Sequence, residues 1–277
     1  MRQAVQAEDS RLMLESYSDR WALITGASSG IGEAFAQRLA ALGMHLVLTA
    51  RRGDLLEKLA EELHVRHGTR CEILPGDLSE PDRPRSIVDE LAVRDIEIDL
   101  LVNNAGFGIV GEIEDADVDR IMQMTQLNIG ALTELTYRIL PGMLTRRRGG
   151  VINVSSVAGF QPVAYMAAYA ASKAYVLHFS EALWAEARSR HVTVTAVCPG
   201  VTRTSFFDVA GVPGWLKKQR SQSPERVVRK ALKAFERKKQ YVIGGWRNYL
   251  RSLAVRFGTR RTVVTSSMKY FRPKSRS

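Results

Sequence analysis

The chain has 277 residues, of which 45% are hydrophobic and 25% charged, and these values suit one domain with a large core. No segment approaches the roughly 18 uncharged apolar residues of a membrane span, and residues 1–16 are too polar for a signal peptide, so we expect a cytoplasmic protein. Cys71 and Cys198 are far apart and lack a CxxC or Cys/His context, which favours free thiols over a disulfide or a metal site.

The net charge of +11 is unevenly distributed. Residues 217–277 contain 19 Lys and Arg against two acidic residues, Glu225 and Glu236, so this segment carries +17 and residues 1–216 carry −6. Because the net positive charge is confined to the C-terminal segment and the rest of the chain is net acidic, we expect no nucleic-acid partner.

Seven short apolar runs alternate with longer helical patterns, beginning at Trp21–Thr25 and Leu46–Ala50. The others are Cys71–Leu74, Asp99–Asn103, Val151–Val154, Thr193–Val197 and Tyr241–Ile243. This alternation predicts an α/β fold with one domain, a Rossmann-like doubly wound parallel sheet of about seven strands. We assign the domain to residues 17–245, with a polar N-terminal extension at 1–16 and a basic amphipathic C-terminal extension at 246–277. Ligands bind such sheets beyond the carboxyl ends of the strands, so the segments after each strand are candidate sites.

The segment after the first strand is rich in glycine and reads TGASSGIG over residues 25–32, followed by a helical pattern from Glu33 to Leu42. Glycines permit a tight turn and close backbone approach, and a helix N-terminus offers free N–H groups to a pyrophosphate. The spacing is GxxxGxG and not the common GxGxxG fingerprint. Taken alone, it suits either a nucleotide site or a tight structural turn.

Arg51 and Arg52 follow the second strand, where an NAD enzyme usually presents a carboxylate to the ribose 2′-hydroxyl. Two guanidinium groups there would bind a 2′-phosphate, and no acidic residue intervenes before Asp54. The pair favours NADP(H) over NAD(H); the alternative is a solvated pair of arginines in a loop.

Tyr169 and Lys173 follow the fifth strand within the sequence YAASK, and their spacing places both on one face of a helix. A free tyrosine has a pKa of about 10, and a neighbouring cation lowers it toward neutral pH. Such a pair is common on protein surfaces, so its meaning depends on the other motifs.

Those motifs occur in a characteristic order: TGASSGIG at 25–32, NNAG at 103–106, Asn128, Ser156 placed 13 residues before Tyr169, YAASK, and PGVTRT at 199–204. In this order and spacing, the chain resembles the short-chain dehydrogenase/reductase family from about Trp21 to Ile243. The resemblance implies that Ser156 hydrogen-bonds the substrate oxygen and Tyr169 transfers the proton. It also implies that Lys173 lowers the tyrosine pKa and binds the nicotinamide ribose, while Asn128 supports the lysine. The family spacing selects Ser156 over the neighbouring Ser155.

The resemblance also implies a set of cofactor contacts. Asp77 would bind the adenine with Leu78 beside it, and Thr202 and Thr204 would hold the nicotinamide carboxamide. The complete expected set is Gly26, Ser28, Ser29, Gly30, Ile31, Gly32, Arg51, Arg52, Asp77, Leu78, Asn104, Ala105, Gly106, Tyr169, Lys173, Pro199, Gly200, Thr202 and Thr204.

The implied activity is NADPH-dependent reduction of a ketone or aldehyde to an alcohol, with Tyr169 as proton donor, by a homodimer or homotetramer. A 3-oxoacyl-thioester reductase and a non-catalytic NADP-binding regulator or membrane-associated protein remain as alternatives. The apolar segment from Ser205 to Leu216 occupies the family's lid position and suits either a lipophilic substrate or ordinary packing. Ser223 and Pro224 predict the start of a further helix.

The C-terminal extension carries an apolar stripe at helical spacing, formed by Trp246, Tyr249, Leu250, Leu253 and Phe257. Arg247, Arg251 and Arg256 occupy the other positions, so the pattern predicts a basic amphipathic helix. Such a helix can lie on an anionic membrane or pack its stripe on the body or on a partner subunit. We favour packing at this stage.

Overall fold

The computed structural model describes residues 17–272, and its central sheet confirms the predicted fold. All seven strands are parallel, in the order β3-β2-β1-β4-β5-β6-β7, so the winding reverses between β1 and β4. Every strand boundary agrees with the prediction to within one residue. The strands are β1 Trp21–Thr25, β2 His45–Thr49, β3 Cys71–Ile73, β4 Ile98–Asn103, β5 Gly150–Val154, β6 Thr193–Cys198 and β7 Tyr241–Ile243.

Helices cover both faces of the sheet. In chain order, the α-helices are α1 Gly30–Ala40, α2 Gly53–His67, α3 Arg83–Val93, α4 Val118–Thr125, α5 Leu132–Arg146, α6 Ala167–Ala187, α7 Phe206–Val209, α8 Pro224–Glu236, α9 Trp246–Phe257 and α10 Arg260–Phe271. Shorter turns occupy Gln126–Ala131 (a π-helix) and, as 3-10 helices, Val157–Phe160, Arg188–Arg190 and Trp215–Lys218. The first helix begins three residues before the predicted Glu33, because the glycine loop runs directly into it.

Two apolar layers hold these elements together. One layer packs α1, α2 and α8 on side chains such as Ile24 and Leu48, and the other packs α3, α5 and α6 on side chains such as Leu23 and Val47. Successive strand residues point to opposite faces, and both faces are covered, which explains the nearly continuous hydrophobicity of the strands. Ser223 caps α8 by accepting a hydrogen bond from the Arg226 backbone N–H, as its sequence predicts.

The C-terminal helices differ from the prediction in two respects. A second helix, α10, follows α9. Most of the apolar stripe of α9 is exposed rather than packed on the body: Trp246, Leu250 and Phe257 are 69%, 51% and 90% exposed, and Leu253 is half-buried. The opposite face of α9 packs on the body. Asn248 lies so close to Gly200 that a Cβ atom added to this glycine would lie 2.2 Å from the Asn248 Nδ2.

Residues 1–16, which form the predicted N-terminal extension, and residues 273–277 lie outside the described residues. No helix among residues 17–272 is long and apolar enough to cross a membrane.

The two phenylalanines of α8 and α9 offer a matched test of this packing. Phe235 is fully buried and its ring meets Tyr17 edge-on, with centroids 6.2 Å apart, whereas Phe257 is exposed. We expect Phe235→Ala to lower the free energy of unfolding by about 3–5 kcal/mol, because it leaves a cavity. Phe257→Ala should change it by less than about 0.5 kcal/mol. Urea unfolding measures both, and equal effects would contradict the assignment of the core.

Candidate functional site

The glycine loop is joined to the segment after β4 at the point where the winding reverses. The Thr25 Oγ1 accepts hydrogen bonds from the backbone N–H groups of Asn104 and Ala105, both at 2.9 Å. The Asn104 side chain donates from Nδ2 to the carbonyl oxygens of Thr25 and Gly26, at 2.9 and 3.2 Å. Asn104 therefore fixes the shape of the loop through its side chain.

Close contacts at the loop require glycine at these positions, because a side chain would collide with neighbouring atoms. A Cβ atom on Gly32 would lie 2.2 Å from the Gly26 carbonyl oxygen, and Gly26 and Gly30 have φ values of +65° and +63°. The loop thus presents bare backbone in front of the N-terminus of α1, as binding of a pyrophosphate requires. These features fit a dinucleotide cofactor.

Arg51 and Arg52 lie at one end of this loop. The Arg52 guanidinium donates to the hydroxyls of Ser28 and Ser29, both at 3.1 Å, and Arg51 Nη1 lies 3.8 Å from the Asp77 carboxylate. Asp77 is itself oriented by the backbone N–H and hydroxyl of Ser79. The two arginines are therefore held at the rim of the loop by partners that leave further N–H groups available.

The expected catalytic side chains Ser156, Tyr169 and Lys173 line the same cavity as the glycine loop. Lys173 and Tyr169 are buried on α6, with the Lys173 Nζ 5.8 Å from the centroid of the Tyr169 ring. The Lys173 ammonium donates to the Val154 carbonyl oxygen at 2.9 Å. Ser156 follows β5 and accepts a hydrogen bond from the Ala158 N–H at 3.1 Å. The Ser155 hydroxyl instead donates to the Lys173 carbonyl oxygen at 2.7 Å and is buried, which agrees with the choice of Ser156.

Asn128 lies behind the other three residues, in the π-helical turn Gln126–Ala131. Its Nδ2 donates to the Phe107 carbonyl oxygen and to the Ser172 hydroxyl, and its Oδ1 accepts from the Phe107 N–H at 3.2 Å. A Cβ atom on Gly106 would lie 2.8 Å from this Oδ1 and 3.3 Å from Lys173 Nζ. Asn128 thus connects the loop after β4 to α6, beside the lysine.

Burial dominates the electrostatics of the site. It raises the pKa of the Tyr169 phenol to about 12, although the Ser156 hydroxyl lowers this pKa by a smaller amount. It also lowers the pKa of Lys173 to about 8. The expected lowering of the tyrosine pKa by Lys173 is not found: the pKa of Tyr169 is raised, because removal from water disfavours the charged form.

Most of the predicted residues line one cavity of about 940 Å³. Of the residues expected in the catalytic and cofactor sets, only Gly32 and Asn128 are absent from the lining, and both act from behind it. Thr202 and Thr204 follow β6; the Thr202 hydroxyl donates to the Gly200 carbonyl oxygen, and Thr204 Oγ1 accepts from the Phe206 N–H.

Sequence reasoning missed the second wall of this cavity, which comes from α9 and α10. Residues of both helices line it, and the Ser267 hydroxyl of α10 accepts a hydrogen bond from the Ala164 N–H at 2.9 Å. The Phe271 ring stacks on Trp215 at 5.1 Å, and Trp215 packs on Phe207 at 4.5 Å. Phe206 closes the same wall against Tyr169, with ring centroids 5.3 Å apart. No periodicity signals this placement, because it depends on how two helices fold back over the lid.

The family model for short chain dehydrogenases matches residues 20–210. This chain belongs to the short-chain dehydrogenase family. It is thus an oxidoreductase whose fold and glycine loop suit NAD(P) and a small-molecule substrate.

The chain is similar to several characterised members. A very-long-chain 3-oxoacyl-CoA reductase of Anas platyrhynchos is 34% identical over 218 residues, which cover 76% of this chain and 67% of that protein. A 7beta-hydroxysteroid dehydrogenase of Clostridium sardiniense is 30% identical over 233 residues, covering 81% and 85%. The structure of a short-chain dehydrogenase from Sphingobium yanoikuyae in complex with NADPH has a TM-score of 0.79 and 32% identity, covering 93% of this chain and 100% of that one.

The glycine loop yields a direct test of cofactor binding. Gly32→Ala places a methyl group 2.2 Å from the Gly26 carbonyl oxygen, so we expect the loop to shift and the NADPH affinity to fall at least about tenfold. Gly111→Ala is the control, because no atom lies within 4 Å of its added Cβ. Fluorescence titration with NADPH measures both variants. Unchanged affinity of Gly32→Ala would contradict this account of the loop.

Proposed function

We propose that this chain is an NADP(H)-dependent reductase that converts a lipophilic ketone or aldehyde to an alcohol. The observation that carries the proposal is one cavity lined by three groups: the arginine pair at the rim of the glycine loop, then Ser156, Tyr169 and Lys173, and an apolar wall whose Phe206 ring packs on Tyr169. This lining matches a phosphorylated dinucleotide that lies along the glycine loop and presents its nicotinamide to a substrate against the apolar wall.

The reaction needs positioned donors for the charge that develops on the substrate oxygen. NADPH, when bound, supplies the hydride. The hydroxyls of Ser156 and Tyr169 would hold the carbonyl oxygen, and preorganised donors stabilise the developing negative charge without rearranging. Because the pKa of Tyr169 is about 12, its phenol is protonated at neutral pH and suits the role of proton donor.

Lys173 would support this proton transfer through its charge. Its pKa of about 8 lies above neutral pH, so the ammonium is mostly protonated there, and it lies on the face of the Tyr169 ring. A cation at that distance stabilises the phenolate that remains when the proton leaves. Asn128 acts as a positioning residue, because it binds the Phe107 backbone and Ser172 and touches neither reacting group.

The substrate class follows from the apolar wall. Phe206, Phe207, Trp215, Met166 and Phe271 line the cavity beyond Tyr169, and ligand pockets of this composition bind apolar molecules with few polar anchors. The names of the similar proteins, a hydroxysteroid dehydrogenase and a very-long-chain 3-oxoacyl-CoA reductase, are consistent with large lipophilic substrates. A 3-oxoacyl thioester is therefore the second candidate substrate.

We further propose a homodimer or homotetramer in the cytoplasm. An aromatic surface on α5 and α6 supports self-association: Tyr137 and Tyr175 are exposed beside Phe179, and the rings of Tyr175 and Phe179 are stacked at 5.6 Å. The thiols of Cys71 and Cys198 are free, which suits a reducing compartment.

The proton donor is tested by Tyr169→Phe. We expect turnover with NADPH, measured by nicotinamide absorbance on a panel of steroid and long-chain ketones, to fall by at least about 10², because the variant lacks the proposed proton donor. NADPH affinity should be retained. Tyr175→Phe on the same helix is the control, since it keeps the aromatic ring of the proposed self-association surface and removes the hydrogen bond to Thr133. Parental turnover in Tyr169→Phe would show that the mechanism is wrong.

The cofactor preference is tested at Arg51. NADPH should bind more tightly than NADH, and Arg51→Asp should narrow the ratio of the two affinities at least about tenfold, because a charge-assisted hydrogen bond to the 2′-phosphate becomes a repulsion. Fluorescence titrations with both cofactors give this ratio. Arg85→Asp, on the exposed surface of α3, controls for the change of net charge. Equal affinities in the parent chain would refute the preference.

A further inference from the structure

Helix α9 has two chemically different faces. Successive residues of an α-helix are offset by about 100°, so Asn248, Ser252 and Val255 share one face, and all three line the cavity. The other face carries the apolar stripe, and most of its side chains are exposed: Trp246 by 69%, Tyr249 by 47%, Leu250 by 51% and Phe257 by 90%. Exposed apolar clusters of this size on a helix mark interaction surfaces.

Basic side chains border this stripe. By the same helical offset, Arg247 flanks the stripe on one side and Arg256 on the other, and the Arg247 guanidinium lies 5.4 Å from the Trp246 ring centroid. No acidic residue occurs in residues 237–272. The same range contains ten basic residues: Arg237, Lys238, Lys239, Arg247, Arg251, Arg256, Arg260, Arg261, Lys269 and Arg272.

We propose that the outer face of α9 is a docking surface for an anionic lipid bilayer, in which the apolar stripe enters the interfacial region and the flanking arginines bind the headgroups. An apolar face bordered by cations is the arrangement of helices that lie in the plane of a membrane interface. Tryptophan and tyrosine, here Trp246 and Tyr249, prefer that interface because their rings are apolar and carry one polar group.

Charge and apolarity distinguish a bilayer from two other candidate partners of this face, a second copy of the chain and a nucleic acid. In a symmetric dimer built on this face, the same patch would meet itself, and Arg247 and Arg256 would face like charges without acidic partners from residues 237–272. Nucleic acid would match the charge, but phosphate contacts leave Leu250 and Phe257 in water. Only an anionic surface with an apolar interior satisfies both the stripe and the arginines.

Helix α9 would lie between the bilayer and the cavity of the proposed reductase. The same helix lines the cavity with Ser252 and Val255 and would touch the bilayer with Leu250 and Phe257. The cavity wall would therefore lie one helix diameter from the lipid, about 10 Å. A lipophilic ketone dissolved in the bilayer could then reach the cavity without crossing bulk water. The docking itself does not depend on which substrate is reduced.

Flotation of the full chain with vesicles tests the proposal. We expect binding to phosphatidylserine–phosphatidylcholine vesicles and not to phosphatidylcholine vesicles. Raising the ionic strength from about 0.1 M to about 1 M should release the protein, because the Debye length falls from about 10 Å to about 3 Å. Arg247→Gln with Arg256→Gln should weaken binding about 25-fold, at about fivefold per cation. Leu250→Ser with Phe257→Ser should weaken it at least about tenfold.

Matched variants on α2 and α3, which cover the half of the sheet with β2 and β3, provide the controls. Val65 and Val93 are exposed valines, and Arg66 and Arg85 are exposed arginines. Val65→Ser with Val93→Ser, and Arg66→Gln with Arg85→Gln, should each weaken vesicle binding less than about twofold. Circular dichroism melting of every variant checks that the fold is retained.

Three results would overturn the proposal. The first is no binding to anionic vesicles at low salt. The second is an equal loss of binding in the α9 variants and in their controls. The third is a chain that binds no vesicles, sediments as a dimer, and becomes a monomer when Leu250→Ser and Phe257→Ser are combined. The stripe would then be an interface between two copies of the chain. Because none of these measurements uses turnover, failure of the docking and failure of the reductase activity are distinguishable.

Discussion

The hydrogen bonds between β1 and β4 hold together the two halves of the site. Thr25 accepts two backbone N–H groups from the segment after β4, and the Asn104 amide returns two hydrogen bonds to the loop after β1. These strands are neighbours across the reversal of winding, where helices leave in opposite directions and open a cleft. The joint therefore sets both the shape of the glycine loop and the start of the segment that leads to Phe107 and Asn128.

A chain of buried polar side chains connects the central strands to the helix that carries Tyr169 and Lys173. The Asn103 amide donates to Thr136 and to Asn153, and the Asn153 amide donates to Ser180, which connects β4 and β5 to α5 and α6. These hydrogen bonds favour one register between the strands and helices, although the buried Asn103 Oδ1 has no hydrogen-bond partner among the described residues. That register fixes where α6 presents Tyr169 and Lys173.

The C-terminal helices contribute to two separate features of the structure. The inner face of α9 and the residues of α10 complete the cavity through contacts such as Ser267 with Ala164 and Phe271 with Trp215. The outer face of α9 carries exposed apolar side chains between arginines. One helix pair thus forms part of the cavity wall and also part of the exposed surface beside it.

The sequence by itself determined the strands to within one residue, the glycine loop, the arginine pair and the residues from Ser156 to Lys173. These features follow from local patterns: apolar runs, glycines at fixed spacing, and motifs that follow strands. The tertiary structure decided that Asn104 acts through its side chain on the loop, that burial raises the pKa of Tyr169, and that most of the stripe of α9 is exposed. Each of these depends on atoms distant in sequence, because periodicity identifies an apolar face but does not specify which surface that face contacts.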